Sequence, residues 1–416
     1  MSGRTFASRT FRALENRNYR LFFFGQVVSV SGTWMQSVGQ AWLVLKLTNS
    51  GTALGLVLAL QTLPLLLGGA WGGVLADRFD KRRVLVVTQS AAATVALTLG
   101  LLTITGVVQL WMVGVLAVAL GTVNMIDLPT RQAFIHEMVG RDHLVNAVSL
   151  NAVVMNGARV AGPALAALVI ATAGIGPCFL LNAASYLAVI GGLLAIRKHE
   201  LHRGARTQRA PGQLVGGFRY VWATPALRVP LLTMAMVGTF AYEFQVSLPL
   251  IAKFTFNAGA AGYGALSSFM GAGAVIGGLV TAALARPTGR RLAVATSVFG
   301  FLILAAAAAP TLPIMLGLIA ATGAGSIFFG AMANTSIQLA AEPAMRGRVM
   351  ALYTVAFMGS TAVGGPIIGF VGQAVNPRAA LAVGGLACLV TAILAWRSLS
   401  GIRATSAVAK AGLAPA

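Results

Sequence analysis

The sequence predicts an all-α integral membrane protein, with twelve transmembrane helices arranged in two pseudo-symmetric halves of six. Its 416 residues are 57% hydrophobic and only 9% charged, whereas soluble domains average about 25% charged residues. The apolar residues form long aliphatic runs instead of the ~10-residue alternating segments of an outer-membrane barrel. The longest polar stretch, residues 197–213, separates the first six runs from the last six. This composition excludes a soluble enzyme, because most of its surface would be bare aliphatic side chain.

The predicted spans are apolar stretches bounded by charges or by Gly, Pro and Asn turns. A helix that crosses a bilayer needs about 20 apolar residues, and twelve stretches are close to or above that length. They form an N-terminal half, residues 20–196, and a C-terminal half, residues 226–396. The spans are 20–46, 53–76, 84–105, 109–128, 144–172, 176–196, 226–252, 260–285, 292–309, 312–340, 348–372 and 378–396.

The basic residues are distributed unevenly over the loops. The net charge of +21 by itself suggests binding to nucleic acid or to a membrane surface. The N-terminus, the even-numbered loops and the tail contain 26 of the 30 Lys and Arg residues, the odd-numbered loops contain three, and Arg159 lies inside a span. Lys and Arg near helix ends are retained in the cytoplasm. The segment 1–19, the linker 197–225, the tail 397–416 and both termini are therefore predicted to be cytoplasmic, in an inner or plasma membrane. Because no aromatic residues alternate with the basic clusters, nucleic-acid binding is not expected.

The two halves contain a repeated helix-packing motif. Gly162-Pro163 in span 5 matches Gly365-Pro366 in span 11, at an offset of 203 residues. Such a duplication predicts two related six-helix halves with a central cavity between them near the bilayer midplane. This is the arrangement of a transporter whose halves rock around the cavity.

The loop after span 2 carries a family resemblance. Residues 73–83 read Gly-Val-Leu-Ala-Asp-Arg-Phe-Asp-Lys-Arg-Arg and resemble the signature loop between helices 2 and 3 of the major facilitator superfamily, with Asp80 where the superfamily usually has Gly. The resemblance covers nearly the whole chain except the tail, and it implies the major facilitator fold. Further blocks resemble the enterobactin-exporter-like branch of the superfamily, at 18–26, 31–36, 128–134 and 182–186.

The resemblance also implies that this loop is a gate. In that role Asp77 forms an ion pair, or bonds a helix terminus, that holds the halves together on the inner side and breaks as they rock. The alternative is a topogenic basic loop with an incidental carboxylate. The predicted gating residues are Gly73, Asp77, Arg78, Arg82 and Arg83.

Two segments depart from the pattern of the superfamily's drug–proton antiporters. After Gly162 and Pro163 the sequence reads Ala-Leu-Ala-Ala, without the paired glycines of the antiporter signature. Residues 117–121 of span 4 lack the arginine that such antiporters often carry there. The resemblance therefore supports a transporter more strongly than it supports the coupling mechanism of those antiporters.

Span 1 carries a polar stripe roughly 100° wide. A polar stripe on a membrane helix faces protein or water and not lipid. It is interpreted as cavity lining, with hydrogen bonding between helices as an equal alternative. Asn156, Thr239 and Tyr242 are further cavity-lining candidates in other spans. The stripe consists of Gln26, Ser29, Thr33, Gln36, Ser37 and Gln40.

Three charged residues within the spans are candidates for ion coupling. Asp127 precedes Arg131 by four residues and predicts a local ion pair at the inner end of span 4. Arg159 is the only cation deep in an apolar span and should pair with a carboxylate or point into the cavity. Glu243 is the only acid far from either end of a span, and we interpret it as the coupling carboxylate. The alternative is a permanent Glu243–Arg159 ion pair between the halves.

Together these features predict a secondary active transporter and not an enzyme. We expect export of a small amphipathic organic molecule by alternating access with protons as the coupling ion, and the branch resemblance suggests a siderophore- or antibiotic-like substrate. Alternatives are an uptake symporter of the same fold, a non-transporting sensor and a membrane-embedded enzyme. The four histidines have no metal-ligand spacing and no ATP-binding loop is present, so no metal or cofactor is expected. The expected partners are the substrate, protons and the lipid bilayer, and the chain is expected to be monomeric.

Overall fold

The structure is a computed structural model that describes residues 11–140, 142–202, 213–284, 289–343 and 345–410. Parts of the predicted N-terminal segment, linker and tail, and the side chain of Asp77, lie outside the described residues. The described chain is helical with no strand. Its helices are α1 (Arg17–Thr48), α2 (Gly51–Arg78), α3 (Lys81–Ile104), α4 (Leu110–Val139), α5 (Leu144–Ala173), α6 (Gly176–Leu194), α7 (Gln213–Ala223), α8 (Pro225–Ala241), α9 (Phe244–Leu250), α10 (Gly259–Leu284), α11 (Gly289–Ala307), α12 (Leu312–Ala340), α13 (Arg346–Met358), α14 (Thr361–Ala374) and α15 (Pro377–Lys410).

Eleven helical segments of the described residues are long and apolar enough to cross a membrane. They match predicted spans 2 to 12, with span 7 running from α8 through α9 to a π-helical turn and span 11 combining α13 and α14. Helix α1 is not among the eleven, because its glutamines lower its mean hydropathy. Its 32 residues would nevertheless extend about 48 Å, and it packs inside the bundle against α5 and α6.

Polar side chains set several helix ends. Asn16 and Ser50 begin α1 and α2, and each accepts a hydrogen bond from the amide three residues later at 3.1 Å. Asp80 caps α3 in the same way at 3.0 Å. Asn49 ends α1 with a left-handed φ of 51°, a conformation that Asn tolerates better than most residues. The turn at Asn49 and Ser50 is therefore encoded locally.

Some helices extend further than predicted. Helix α4 continues to Val139 although its predicted end is residue 128 and Pro129 lies inside it. Proline cannot bond to the carbonyl four residues earlier, here that of Met125. Gly72 of α2 approaches this oxygen so closely that a Cβ at residue 72 would lie 2.1 Å from it. Helix α15 likewise passes its predicted end at 396 and continues to Lys410.

The halves meet along two lines of close backbone contact. Helix α2 packs against α14, and a Cβ at Gly55 would lie 2.1 Å from the carbonyl oxygen of Gly365. Helix α5 packs against α10, where a Cβ at Gly264 would lie 2.7 Å from the oxygen of Pro163. The sequence repeat relates span 5 to span 11 and span 2 to span 8. The contact between spans 2 and 11 is therefore the counterpart of the contact between spans 8 and 5. Gly365 thus contributes to packing between the halves, whereas Gly162 packs within its own half against the backbone of Ser31.

The two ends of the bundle differ in charge. We call the end at the turns near residues 49, 107, 174, 257, 310 and 376 the low-charge end, and the opposite end the basic end. Spans alternate in direction between the two ends. The distinction fixes the position of each contact along the bundle.

Candidate functional site

A cavity of about 320 Å³ lies between the halves. Both halves line it, through α1, α2, α4 and α5 on one side and spans 7, 8 and 11 on the other. Its wall contains aromatic, amide, hydroxyl and aliphatic groups, together with one guanidinium and one carboxyl. The lining residues are Trp34, Ser37, Val38, Gln61, Thr62, Leu65, Gly121, Asn124, Leu128, Arg159, Pro163, Tyr242, Glu243, Phe244, Gln245, Leu248, Tyr263, Ser267, Met270, Phe357, Met358 and Thr361.

Two spans of the C-terminal half are interrupted at this cavity. Span 7 breaks at Tyr242 and Glu243, between α8 and α9, and span 11 breaks at Gly359 and Ser360, between α13 and α14. The predicted continuous helices 226–252 and 348–372 are therefore wrong at these points. The breaks lie side by side, since a Cβ at Gly238 would lie 2.7 Å from the Ser360 Oγ. Non-helical backbone inside a membrane is tolerated where it lines a cavity.

Glu243 occupies the break in span 7. Its backbone carbonyl accepts hydrogen bonds from the amides of Val246 and Ser247, both at 3.0 Å, so it begins α9. The residue is 3% exposed, and its carboxyl lies against Gly364, where a Cβ would be 3.0 Å from Oε1. Oε1 is buried and has no hydrogen-bond partner within the described chain. The carboxyl also interacts with the Thr361 side chain, so it is a buried acid with few polar partners.

Arg159 reaches the same cavity from α5. Its guanidinium lies 5.3 Å from the centre of the Trp34 ring, and it forms no ion pair with any carboxylate that the structure describes. The alternative of a Glu243–Arg159 pair is absent in this conformation. An unpaired arginine inside a span costs at least ~2.5 kcal/mol, and a cation–π contact offsets about 0.5–2 kcal/mol. The guanidinium therefore retains the capacity to stabilise an anion.

Aromatic rings form the wall on the side of the C-terminal half. The Tyr242 hydroxyl donates to the Ser326 carbonyl at 2.6 Å, which fixes the ring. Phe357 stands edge-on to this ring with centroids 5.1 Å apart, and Phe299 lies behind it at 5.5 Å. The cavity thus offers a rigid aromatic surface opposite the helices that carry Trp34 and Arg159.

The polar stripe of α1 is divided between two roles. Only Ser37 lines the cavity. The three glutamines bond to neighbouring helices: Gln40 to Gln61 at 3.0 Å, Gln36 to Asn182 at 2.6 Å, and Gln26 to Arg131. The Thr33 hydroxyl donates a hydrogen bond to the Ser29 carbonyl within α1 at 3.0 Å. Half of the stripe, its three glutamines, therefore joins helices within the N-terminal half.

Asn156 and Thr239 also lie outside the cavity lining. The Asn156 amide donates to the Ala152 carbonyl at 2.8 Å, and the Thr239 hydroxyl donates to the Ala235 carbonyl at 2.8 Å. Both side chains therefore hydrogen-bond to the backbone of their own helix. The Thr239 carbonyl marks a close approach of two helices, because a Cβ at Gly364 would lie 1.9 Å from it.

The predicted Asp127–Arg131 ion pair is present, within a buried network. Asp127 is 2% exposed and also accepts from the Thr88 hydroxyl at 2.7 Å and the Gln89 amide at 2.8 Å. Arg131 continues the network to Gln26 of α1. This network lies outside the cavity lining, so Asp127 ties together α1, α3 and α4 in this conformation.

The predicted gating loop is tied to its own half. Arg82 donates to the carbonyls at the end of α6, including that of Leu194 at 2.8 Å. Lys81 pairs with Glu137 of α4 at 2.7 Å. Gly73 is buried, Arg78 is exposed, and the amide of Arg83 bonds to the Asp80 cap. The gating role of Asp77 stays a prediction, because its side chain lies outside the described residues.

A second set of contacts joins the halves at the low-charge end. The Lys253 ammonium donates to the Leu45 carbonyl at 2.7 Å and to the Asn49 Oδ1 at 2.6 Å. The Gln373 Oε1 accepts from the Ser50 hydroxyl at 2.6 Å and from the amide of Thr52 at 3.1 Å. The turn between α1 and α2 is therefore held by both interrupted spans of the other half.

The sequence interpretation missed several polar lining residues. Gln61, Asn124, Gln245 and Thr361 face the cavity, and each lies in a mostly apolar stretch. The polar character of Gln61 and Asn124 was the available signal, since polar groups in spans face protein or water. Of the part of the chain described, no three His, Cys, Asp or Glu side chains converge as metal ligands would.

The two related bundles with a cavity between them define a membrane transporter of the major facilitator superfamily. The chain belongs to the transmembrane secretion effector family of this superfamily, whose family model matches residues 8–413. The family assignment and the fold confirm the resemblance in the loop after span 2 and the expectation of a transporter instead of an enzyme.

Curated relatives are transporters and efflux pumps. The chain is 28% identical over 361 residues to the multidrug efflux pump Tap of Mycolicibacterium fortuitum, covering 83% of this chain and 86% of Tap. It is 26% identical over 380 residues to the enterobactin exporter EntS of Shigella flexneri, covering 90% of each chain. It is 28% identical to the staphyloferrin A transporter of Staphylococcus aureus over 181 residues, which are 43% of this chain and 45% of that one.

Solved structures share the fold. The crystal structure of the nucleoside transporter NupG superposes with a TM-score of 0.72 at 13% identity, over 92% of this chain and 98% of that chain. A bacterial homologue of the iron transporter ferroportin in an inward-facing state gives a TM-score of 0.71 at 15% identity, over 92% and 99%. At these identities the likeness concerns the fold alone.

Proposed function

We propose that this transporter exports a small amphipathic organic molecule, of siderophore- or antibiotic-like kind, across the cytoplasmic membrane in exchange for protons. The single observation that carries the proposal is the cavity, because it combines an aromatic wall with amide groups, one guanidinium and one buried carboxyl. Aromatic and polar groups together suit a molecule with both apolar and polar parts. The curated names of Tap and EntS as efflux pump and exporter support the outward direction.

Alternating access is the proposed mechanism. The hydrogen bonds described between the halves all lie between the centre and the low-charge end, where Lys253 and Gln373 hold the turn after α1. With both termini cytoplasmic, as the charge distribution predicts, this is the conformation closed towards the outside. Breaking these contacts and closing the basic end would expose the cavity to the other side.

Glu243 is the proposed coupling carboxyl. Its position at a helix break means that movement of α8 relative to α9 changes what surrounds the carboxyl. A buried environment disfavours the charged carboxylate, and approach of Arg159 or water would favour it. Rocking between two such environments would let Glu243 bind a proton from outside and release it inside, while substrate moves outward.

The test uses purified protein in proteoliposomes with an imposed pH gradient and candidate siderophores and antibiotics as substrates. Glu243→Gln should abolish gradient-driven accumulation and retain substrate exchange without a gradient. The matched control is Glu342→Gln, because Glu342 is exposed at the basic end and lies outside the cavity lining. Gradient-driven transport that survives in Glu243→Gln would remove this residue from coupling. Accumulation along the direction of proton entry would instead identify an uptake symporter.

A further inference from the structure

The cavity presents one cation that protein groups leave unsatisfied. Glu243 is 3% exposed with its carboxyl against Gly364, whereas Arg159 is partly exposed. Arginine stays protonated at any physiological pH. In the described chain the guanidinium of Arg159 donates no hydrogen bond and lies against the ring of Trp34. The charge that the cavity offers to a molecule inside it is therefore positive.

The packing of α1 and α5 holds this cation beside an aromatic face. Gly162, one turn after Arg159, lies so close to α1 that a Cβ there would be 2.4 Å from the Trp34 Cβ. This contact fixes the indole where the guanidinium stacks on it, with Cζ 5.3 Å from the ring centre. Across the cavity the Tyr242 ring is fixed by its hydrogen bond to the Ser326 carbonyl. An aromatic group entering the cavity would meet rigid rings on two sides and the guanidinium at its edge.

We propose that the transported molecule is an aromatic anion, with its anionic oxygen bound by Arg159 and its ring packed between Trp34 and Tyr242. This proposal rests on the proposed function and defines the chemical class of its substrate. A guanidinium binds a carboxylate or phenolate oxygen through charge-assisted hydrogen bonds. A neutral molecule would leave the charge in the cavity uncompensated, and a cation would be repelled by it.

The experiment measures binding instead of transport, by isothermal titration calorimetry on the full chain in nanodiscs. Three probes share one ring system and differ in charge: 2-naphthoate, 2-naphthamide and 2-naphthylmethylammonium. We expect 2-naphthoate to bind at least tenfold more tightly than 2-naphthamide, and the ammonium probe to bind most weakly. Equal affinity for all three, tighter binding of the cation, or no binding of any probe would overturn the proposal.

Variants then assign the preference to Arg159. Arg159→Gln should remove the preference for 2-naphthoate and change the affinity for 2-naphthamide less than threefold, whereas Arg159→Lys should keep part of the preference. Trp34→Leu should lower the affinity for both 2-naphthoate and 2-naphthamide. The matched control is Arg228→Gln, because Arg228 also stacks on a tryptophan, at 5.8 Å from the Trp222 ring, but outside the cavity lining.

A preference for 2-naphthoate that persists in Arg159→Gln contradicts the proposal. If Arg159→Gln does not reach the membrane, the proposal is tested by the Arg159→Lys variant and by the three-probe comparison on the unchanged chain. The outcome is separate from the proposed function: charge-selective binding without gradient-driven efflux would reject proton-driven export and keep the binding site. Gradient-driven efflux of neutral or cationic substrates alone, without charge-selective binding, would reject the aromatic-anion site and keep proton-driven export.

Discussion

Lys253 is expected to hold the transporter closed at its low-charge end. Its ammonium donates to the Leu45 carbonyl at 2.7 Å and to the Asn49 Oδ1 at 2.6 Å, both in the other half of the molecule. Leu45 lies in the last turn of α1, where unpaired carbonyls and the helix dipole favour a cation. The residue therefore connects the end of span 7 to the end of span 1.

The size of the effect follows from these contacts. A hydrogen bond to a charged group contributes about 1.5–3 kcal/mol when it is buried. Lys253 is only half-buried and its partners would gain water on opening, so we expect about 1–2 kcal/mol for the whole contact. Such a difference changes an equilibrium by roughly 5- to 30-fold. Lys253→Met should raise the population open at the low-charge end by this factor.

The assay is the labelling rate of a single cavity cysteine, Ser37→Cys, by a membrane-impermeant maleimide in intact cells. The two buried cysteines, Cys178 and Cys388, are first replaced. When opening is fast, the rate scales with the open population even if that population is small. Lys46→Met is the matched control, because Lys46 is an exposed cation at the same end of α1 and contacts none of the described groups that Lys253 contacts. An unchanged rate in Lys253→Met, or an equal rise in both variants, would refute the reasoning.

Three further outcomes are expected. Gly55→Val should slow substrate efflux at least tenfold, because a Cβ at residue 55 would lie 2.1 Å from a backbone oxygen of α14. Gly157→Val is the control and should leave the efflux rate unchanged, since nothing lies within 4 Å of a Cβ at that residue. Asp77→Asn should slow efflux at normal expression if the carboxylate acts in the gate, and normal efflux would exclude that role. Reporter fusions after Arg82 should report cytoplasm and fusions at Asn257 the outside, and reversed signals would contradict the predicted topology.

The course of the helices was largely predictable from the sequence. Charges and Gly, Pro or Asn turns are expensive inside a bilayer, so they mark most span ends within a few residues; the ends of α4 and α15 are the exceptions. The break of span 7 was not predictable in this way, whereas Gly359 lies at the break of span 11. No Gly or Pro marks Tyr242 and Glu243, and the break there depends on tertiary contacts such as that between the Thr239 carbonyl and Gly364.

The cavity was harder to predict than the spans. In a membrane helix a polar side chain facing a cavity and one facing another helix have the same periodicity, because both avoid lipid. Gln36 and Ser37 are neighbours on α1, yet Gln36 bonds to Asn182 and Ser37 lines the cavity. Aromatic lining residues such as Trp34 resemble lipid-facing residues in the sequence. The charged residues were the exception, since a cation such as Arg159 has few acceptable positions within a span.

The blocks that resemble the enterobactin-exporter-like branch form much of the structure of the N-terminal half. Arg131 of α4 donates a hydrogen bond to Gln26 of α1, and Asn182 of α6 donates one to Gln36 of α1. These four residues come from four separate blocks. None of these four residues lines the cavity. The shared blocks therefore contribute mainly to packing of the N-terminal half, although Trp34 and Leu128 of these blocks also line the cavity.

The two halves differ in one respect that bears on mechanism. The spans related by the repeat are 1 and 7, and 5 and 11. Helices α1 and α5 run without interruption past the cavity, whereas their counterparts break beside it. A break concentrates bending at a few residues, while a continuous helix moves as a rigid body. The same interrupted spans carry Lys253 and Gln373, which join the halves at the low-charge end. Bending at the breaks can therefore move these contacts and the surroundings of Glu243 together, which is the physical link that the proposed proton-driven opening requires.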